Sequence, residues 1–165
     1  MSPRSTTAKG GGTTRGAERA PEAWVRFLRS HATLTRRMDA TLRELHGLSL
    51  NEFEILLQLW HAEDERLRRV DLAEHLVVTQ GGITRLLAGL ERQGLVERQS
   101  CESDARVVYA CLTEEGERKL VAARETHLGD VRRMFGDRFS KPELEEMATL
   151  LARLDEAEGD DLDSC

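Results

Sequence analysis

From Trp24 to Leu45 the apolar positions recur at steps of three and four: Trp24, Phe27, Leu28, His31, Leu34, Met38, Leu42 and Leu45. That is the period of one helical face, and it predicts a helix from about 22 to 46, with Pro21 at its start and Gly47 as its stop. Such a helix is roughly 35 Å long, more than a small globule can cover, so part of its face needs a partner. Ser49-Leu-Asn-Glu52 is a capping box: the serine oxygen takes an orphan N–H of the first turn and the glutamate reaches back. The helix it opens, to about His61, is apolar at Phe53, Ile55, Leu56, Leu57, Leu59 and Trp60, which predicts a central, buried element. A charged loop is expected from Ala62 to Arg69.

Two short helices follow. The first, 70–77, turns Val70, Leu72, Ala73, Leu76 and Val77 inward. After the Val78-Thr79 turn, with Thr79 as N-cap, the second buries Ile83, Leu86, Leu87 and Leu90 and ends at Gly94. Its outer face carries Gln80, Gly81, Thr84, Arg85, Ala88 and Arg92, which are small, hydrogen-bonding or cationic. Two short helices of this kind suit insertion of the second into a DNA major groove.

Beyond Gly94 the period changes. Val96-Glu-Arg98 and Val107-Val-Tyr-Ala-Cys-Leu112 are β-type runs about a polar turn, a hairpin placed as the wing of a winged helix-turn-helix. Thr113 then caps a helix to about Phe135 with Leu120, Ala123, His127, Leu128, Val131 and Met134 on one face. Ser140-Lys-Pro-Glu143 is a second capping box, opening a helix with Leu144, Met147, Leu150, Leu151 and Leu154. The first helix and the last two offer more apolar face than one winged-helix core covers, and a helical dimer interface is the simplest use for it.

Composition changes this picture little. Charged residues are 33% of the chain and aromatics 4%, so the core is built from Leu, Val and Ala. The net charge of −6 is unevenly spread: residues 1–37 sum to +6, 38–112 to −5 and 113–165 to −7, with an acidic end at Asp155, Glu156, Glu158, Asp160, Asp161 and Asp163. The sum therefore neither favours nor excludes nucleic acid. No apolar run is long enough for a bilayer, and the basic start is not followed by the apolar stretch of a secretory signal, so no membrane partner and a cytoplasmic location are expected. Cys101, Cys111 and Cys165 have no CxxC spacing, which argues against disulfides and structural zinc. Phosphate-loop, GxSxG and HExxH motifs are missing, and Gly10-Gly-Gly12 precedes no strand–helix unit, so neither an enzyme nor a cofactor is expected.

Asp71-Leu-Ala-Glu-His-Leu76, Ile83-Thr-Arg-Leu-Leu87, Leu90-Glu-Arg-Gln-Gly-Leu-Val-Glu-Arg98, Asp104-Ala-Arg106 and Leu112-Thr-Glu-Glu-Gly116 stand in an order and spacing that resembles the MarR (multiple antibiotic resistance regulator) family. Each motif alone is weak. The resemblance implies a mainly α fold with a small β-hairpin wing, a winged helix-turn-helix with flanking N- and C-terminal dimerisation helices. On this reading 1–20 is a flexible basic arm, 21–47 and 114–157 form the helical dimerisation region, 48–113 is the DNA-binding region and 158–165 an acidic tail.

The resemblance further implies a homodimer that binds double-stranded DNA at a pseudo-palindromic operator, as a ligand-responsive repressor. Thr79, Gln80, Gly81, Gly82, Thr84 and Arg85 would face bases and phosphates. On the wing, Arg106 would reach the minor groove or a phosphate, with Ser103 beside it and Asp104 fixing the turn. Arg98 is either a phosphate contact or half of a surface ion pair. Gly81-Gly82 departs from the Ser or Thr common there: it weakens the helix start by about 1 kcal/mol per glycine and permits close backbone approach to phosphate.

For an effector of aromatic or carboxylate chemistry, the resemblance points to Trp24 and Asp71, with His31 on the same apolar face as Trp24. The plainer alternative is an interface tryptophan, a helix-start acid and an interface histidine. A redox-responsive regulator using Cys101 or Cys111 is a further alternative, although the family's sensing cysteine lies in the first helix, where this chain has none. Zinc sensing is disfavoured because His31, His46, His61, His75 and His127 form no HxxxH pair. From another class stands a winged-helix protein-interaction module that does not bind DNA.

Overall fold

A computed structural model of the chain describes the backbone of residues 13–76, 79–100 and 107–155. Among the described residues, six α-helices and a three-stranded sheet follow one another as α1 (Thr13–His46), α2 (Leu50–His61), β1 (Arg66–Arg68), α3 (Arg69–His75), α4 (Gln80–Arg92), β2 (Val96–Ser100), β3 (Val108–Leu112), α5 (Glu114–Val131) and α6 (Lys141–Asp155). The chain divides into two units, 1–37 and 38–165, with the boundary inside α1.

In the first unit, α1 begins at Thr13, nine residues before the start expected from the apolar period, and Pro21 lies inside it. Part of the segment expected as an arm, 13–20, is therefore helical, while residues 1–12 and the acidic tail 158–165 lie outside the described residues. Ala17, Glu18, Arg19 and Ala20 are good helix formers, and Pro21 removes only one hydrogen bond from the ladder. Trp24, Val25, Phe27 and Leu28 are all exposed, Trp24 at 60%. Trp24 stacks on Phe27, and Phe27 on His31, at centroid separations of 6.2 and 6.4 Å.

The second unit holds the core. Leu42, Leu48, Phe53, Ile55, Leu56, Leu59, Leu72, Ile83, Leu90 and Leu120 are fully buried, and α2 lies at the centre of this cluster, as its apolar residues on several sides predict. The capping box forms: Glu52 N–H donates to Ser49 Oγ at 3.2 Å, and Ser49 N–H donates to Glu52 Oε2 at 2.8 Å. Asp39, on the last turns of α1, accepts from Leu50 N–H at 2.9 Å and from Arg43 Nε at 2.7 Å, fixing the entry into α2. The Arg43 hydrogen bond is also what holds the Asp39 carboxyl below its usual pKa.

The expected charged loop 62–69 is corrected in part. After a single 3-10 turn at Glu63–Glu65, where Asp64 and Glu65 take φ of 57° and 52°, the chain enters β1. This strand pairs antiparallel with β3 (Leu67 opposite Ala110), and β3 pairs with β2 (Arg98 opposite Ala110), giving the order β1-β3-β2. The helix expected to run to Phe135 is α-helical to Val131 and widens into a π turn at Arg132–Gly136, closed by Asp137 N–H donating to Arg132 C=O at 3.1 Å. Ser140 N–H and Oγ both donate to Glu143 at the head of α6, at 2.8 and 2.7 Å.

Two histidines are held neutral by this packing. The His127 ring lies 4.9 Å from that of Phe53, and its Nδ1 is buried with no hydrogen-bond partner among the described residues. Burial pushes its pKa below the ordinary 6.5, with Asp130 opposing. His46, hydrogen-bonded to Thr126 Oγ1 at 2.8 Å, is lowered by burial and then by Lys119. The unfolded imidazoles take up protons near pH 6.5 and the folded ones only at lower pH. Stability is therefore full above 6.5 and falls as pH drops through that value toward the folded pKa. Thermal melts at pH 7.5 and 5.5 should show a lower Tm at 5.5, and His127→Phe should shrink that difference while His46 maintains the rest. An undiminished difference in the variant would assign the loss to other groups.

Candidate nucleic-acid interface

The segment α3–turn–α4 is built by two anchors. Leu72 and Leu76 are buried at one end of it, and Ile83, Leu87 and Leu90 at the other, which fixes how α4 rotates about its axis. Arg68 grips Asp71 in the first turn of α3 with two hydrogen bonds, of 2.8 and 2.7 Å. Thr79 caps α4 by accepting from Gly82 N–H at 3.2 Å. With the apolar side buried, the opposite side exposes Gly81, Thr84, Arg85 and Arg92, while Ala88 and Gly82 are half-buried. The side chain of Gln80 lies outside the described residues.

Gly81 meets no internal demand for glycine. A Cβ there would touch nothing within 4 Å, and its φ is not in the left-handed region. The fold would therefore accept alanine, which favours the helix start by about 1 kcal/mol. What glycine provides is an uncovered backbone at the helix start, where N–H groups outnumber those a cap can satisfy.

The strand pair stands beside α4. Arg98 on β2 donates to Glu91 on α4 at 2.6 Å, and this hydrogen bond is what raises its pKa. Of the two roles expected for Arg98, the structure displays the ion pair, and the pair ties the base of the wing to the helix. Arg66 lies over the Tyr109 ring at 5.2 Å, a contact between β1 and β3. Between the start of α3, α4 and the sheet is a cleft of about 350 Å³ bordered by Arg68, Thr84, Leu87, Glu91, Arg98 and Tyr109. Ser103, Asp104 and Arg106, the expected wing-tip residues, lie outside the described residues, as does Cys101.

A second joint links the wing to α5. Thr113 Oγ1 accepts from Gly116 N–H at 3.0 Å and donates to Gly94 C=O at 2.7 Å, while Thr113 N–H donates to Leu95 C=O at 3.2 Å. One residue thus caps α5 and clamps the turn that leaves α4, where Gly94 takes a φ of 70°. The sequence shows Thr113 as a cap; its second bond needs Gly94 brought beside it across the hairpin.

The effector candidates fall into different units. Trp24 and His31 belong to the exposed aromatic ladder of residues 1–37, and Asp71 belongs to 38–165, where Arg68 already holds its carboxylate. Cys111 is half-buried, and burial first and Glu97 second push its thiol pKa up, with Arg66 opposing. A raised pKa leaves less thiolate for oxidation chemistry at this strand. No group of three or more His, Cys, Asp or Glu among the described residues is placed to hold a metal ion. Nor is any described helix long and apolar enough to cross a membrane.

The sequence model of the MarR family matches residues 48–108, the segment from the end of α1 through the helix-turn-helix and into the wing. The solved structure of AbsC, a MarR family transcriptional regulator from Streptomyces coelicolor, is similar to this chain over nearly its full length. Identity is 30% and the TM-score 0.75, covering 92% of this chain and 97% of that one. The chain belongs to the MarR family. A second family member from Streptomyces coelicolor, Sco3205, solved in complex with DNA, matches with a TM-score of 0.78 and 26% identity over 94% of this chain and 91% of its own. The transcriptional repressor YetL of Bacillus subtilis is 43% identical over 74 residues, 45% of this chain and 44% of that protein. The MarR family and the relatives described here are transcriptional regulators and not enzymes, in line with the absence of catalytic motifs from the sequence.

Proposed function

We propose that this MarR-family chain is a DNA-binding transcriptional regulator that acts as a homodimer, repressing transcription from a pseudo-palindromic operator until a small ligand weakens its grip. The observation that carries the reading is the outer face of α4. Gly81, Thr84 and Arg85 are exposed together on a helix whose opposite side is locked into the core, beside a wing braced to the same helix by Arg98–Glu91. Phosphate contacts by such groups set register, and base-edge contacts set sequence preference. The DNA complex of Sco3205 supports this use of the fold. Thr79, Gln80 and Gly82 complete the proposed helix contacts, and Ser103, Asp104 and Arg106 the wing contacts.

The dimer is supported by apolar surface that one chain leaves uncovered. Leu150, Leu151 and Leu154 on α6 are exposed, Leu154 at 60%, and so are Trp24, Phe27 and Leu28 on α1. A row of this kind on each of two helices fits burial against a second copy. For the effector, an aromatic or carboxylate molecule remains the proposed class, with Trp24 and His31 as its stacking surface. Asp71 joins only if its Arg68 pair breaks.

Sedimentation of the full chain together with a hydroxyl-radical footprint on its upstream intergenic DNA tests the proposal. The expected result is a dimer protecting two related half-sites whose centres lie about 10 bp apart. A monomer, or a footprint without two-fold symmetry, would overturn the homodimeric operator reading. The protein-interaction alternative predicts no footprint at all.

A further inference from the structure

One side of α1 in residues 17–37 carries a charge pattern that the helix-turn-helix does not explain. Arg19, Arg26, Arg29, Arg36 and Arg37 are exposed, and Glu18 and Glu22 are the only acids in this stretch. At about 100° per residue, the five arginines fall within an arc of about 100° and span roughly 27 Å along the axis. Trp24, Phe27, His31 and Leu34 lie on the other side, centred roughly 150° around the helix. The segment 1–37 carries +6 in a chain whose remaining parts are each negative.

We propose that this arginine face is a second DNA-binding surface, holding the phosphate backbone of a duplex without regard to sequence. Its length is roughly three-quarters of the 34–36 Å duplex turn. Arg26 Nε donates to Glu22 at 3.0 Å and Arg36 Nε to Ala32 C=O at 3.0 Å, and each of these guanidinium groups carries further N–H groups, five in all. Guanidinium groups suit phosphate because their planar fork matches its oxygens. Anionic lipid fits less well. A helix lying in a membrane interface must bury its apolar side, and here that side carries Trp24 and Phe27, which the proposed dimer covers with a second copy. The inference goes beyond the operator reading and does not need α4.

The test uses the full-length protein and a random-sequence 30-bp duplex, followed by fluorescence anisotropy between about 25 and 200 mM salt. An Arg85→Glu variant removes the proposed helix-turn-helix contact, and a second variant adds Arg26→Glu, Arg29→Glu and Arg36→Glu. We expect Arg85→Glu to retain duplex binding, with log K falling against log salt at a slope of about −3, as three to four neutralised phosphates give. The added reversals should abolish it. A neutral set, Arg26→Gln, Arg29→Gln and Arg36→Gln, keeps helix propensity and should flatten the slope as well, which separates lost charge from lost folding. Unchanged binding in both arginine sets, or no residual binding in Arg85→Glu, would overturn the proposal and leave the α4 reading standing. Arginine-dependent capture of phosphatidylserine vesicles with duplex binding unaffected would overturn it in favour of a lipid.

Discussion

Gly116→Ala should destabilise the protein more than any other single methyl group added to a described glycine. A Cβ at Gly116 would overlap the backbone carbonyl oxygen of Leu95 and come within 2.8 Å of Leu112 Cδ1. The carbonyl cannot swing aside cheaply, because it accepts from Thr113 N–H and belongs to the turn clamped by Thr113 Oγ1. Either α5 lifts from the base of the wing or the turn after Gly94 deforms. Overpacking of this kind costs about 1–3 kcal/mol and more where backbone must move, so a Tm loss of about 5–10 °C is expected for a chain of this size. Gly129→Ala, on the same helix with open space around it, is the control and should be neutral or slightly stabilising. Equal melting temperatures for Gly116→Ala and wild type would show that α5 does not pack against Leu95 as described.

The second large effect is on DNA. Arg85→Glu should weaken operator binding by about 10- to 100-fold or more, since one phosphate or base contact is worth about 1–3 kcal/mol and the reversed charge adds repulsion. Stability should hardly change, because Arg85 is exposed on the face opposite Ile83, Leu87 and Leu90. The milder Arg85→Ala discriminates between the two kinds of contact. A phosphate contact predicts uniform weakening across sequences and a salt slope lower by about 1, whereas a base contact predicts relaxed preference at one position. Full operator affinity in Arg85→Glu would remove this residue from the interface.

Much of this architecture was readable along the chain, and the exceptions have physical causes. The Ser49–Glu52 box and the Thr79 and Thr113 caps were visible because capping is local chemistry, set within four residues. Buried positions recurring at steps of three and four on α4 made its outer face predictable for the same reason. Strand β1 was missed because Arg66-Leu67-Arg68 offers one apolar residue and no alternation to count; only pairing with β3, over forty residues away, makes it a strand. The turn before it uses Asp64 and Glu65 at positive φ, where a glycine would have been the signal. The early start of α1 was hidden by Pro21, which reads as a first-turn residue although the ladder continues past it. Gly116 stood in plain view, but its steric role depends on Leu95, which the hairpin delivers from the far side of the wing.

Sequence-preferring DNA binding is the central claim, and a titration of the purified protein tests it most directly. Its own upstream intergenic fragment and a scrambled duplex of equal length are compared at 50 and 200 mM salt. The account predicts tight binding to the native fragment, weakened by salt, with a preference over the scrambled duplex that survives at the higher concentration, because base contacts are not screened as phosphate contacts are. Equal affinity for both duplexes at both salt concentrations would contradict it, and would leave α4 and the wing without a sequence to read on that fragment.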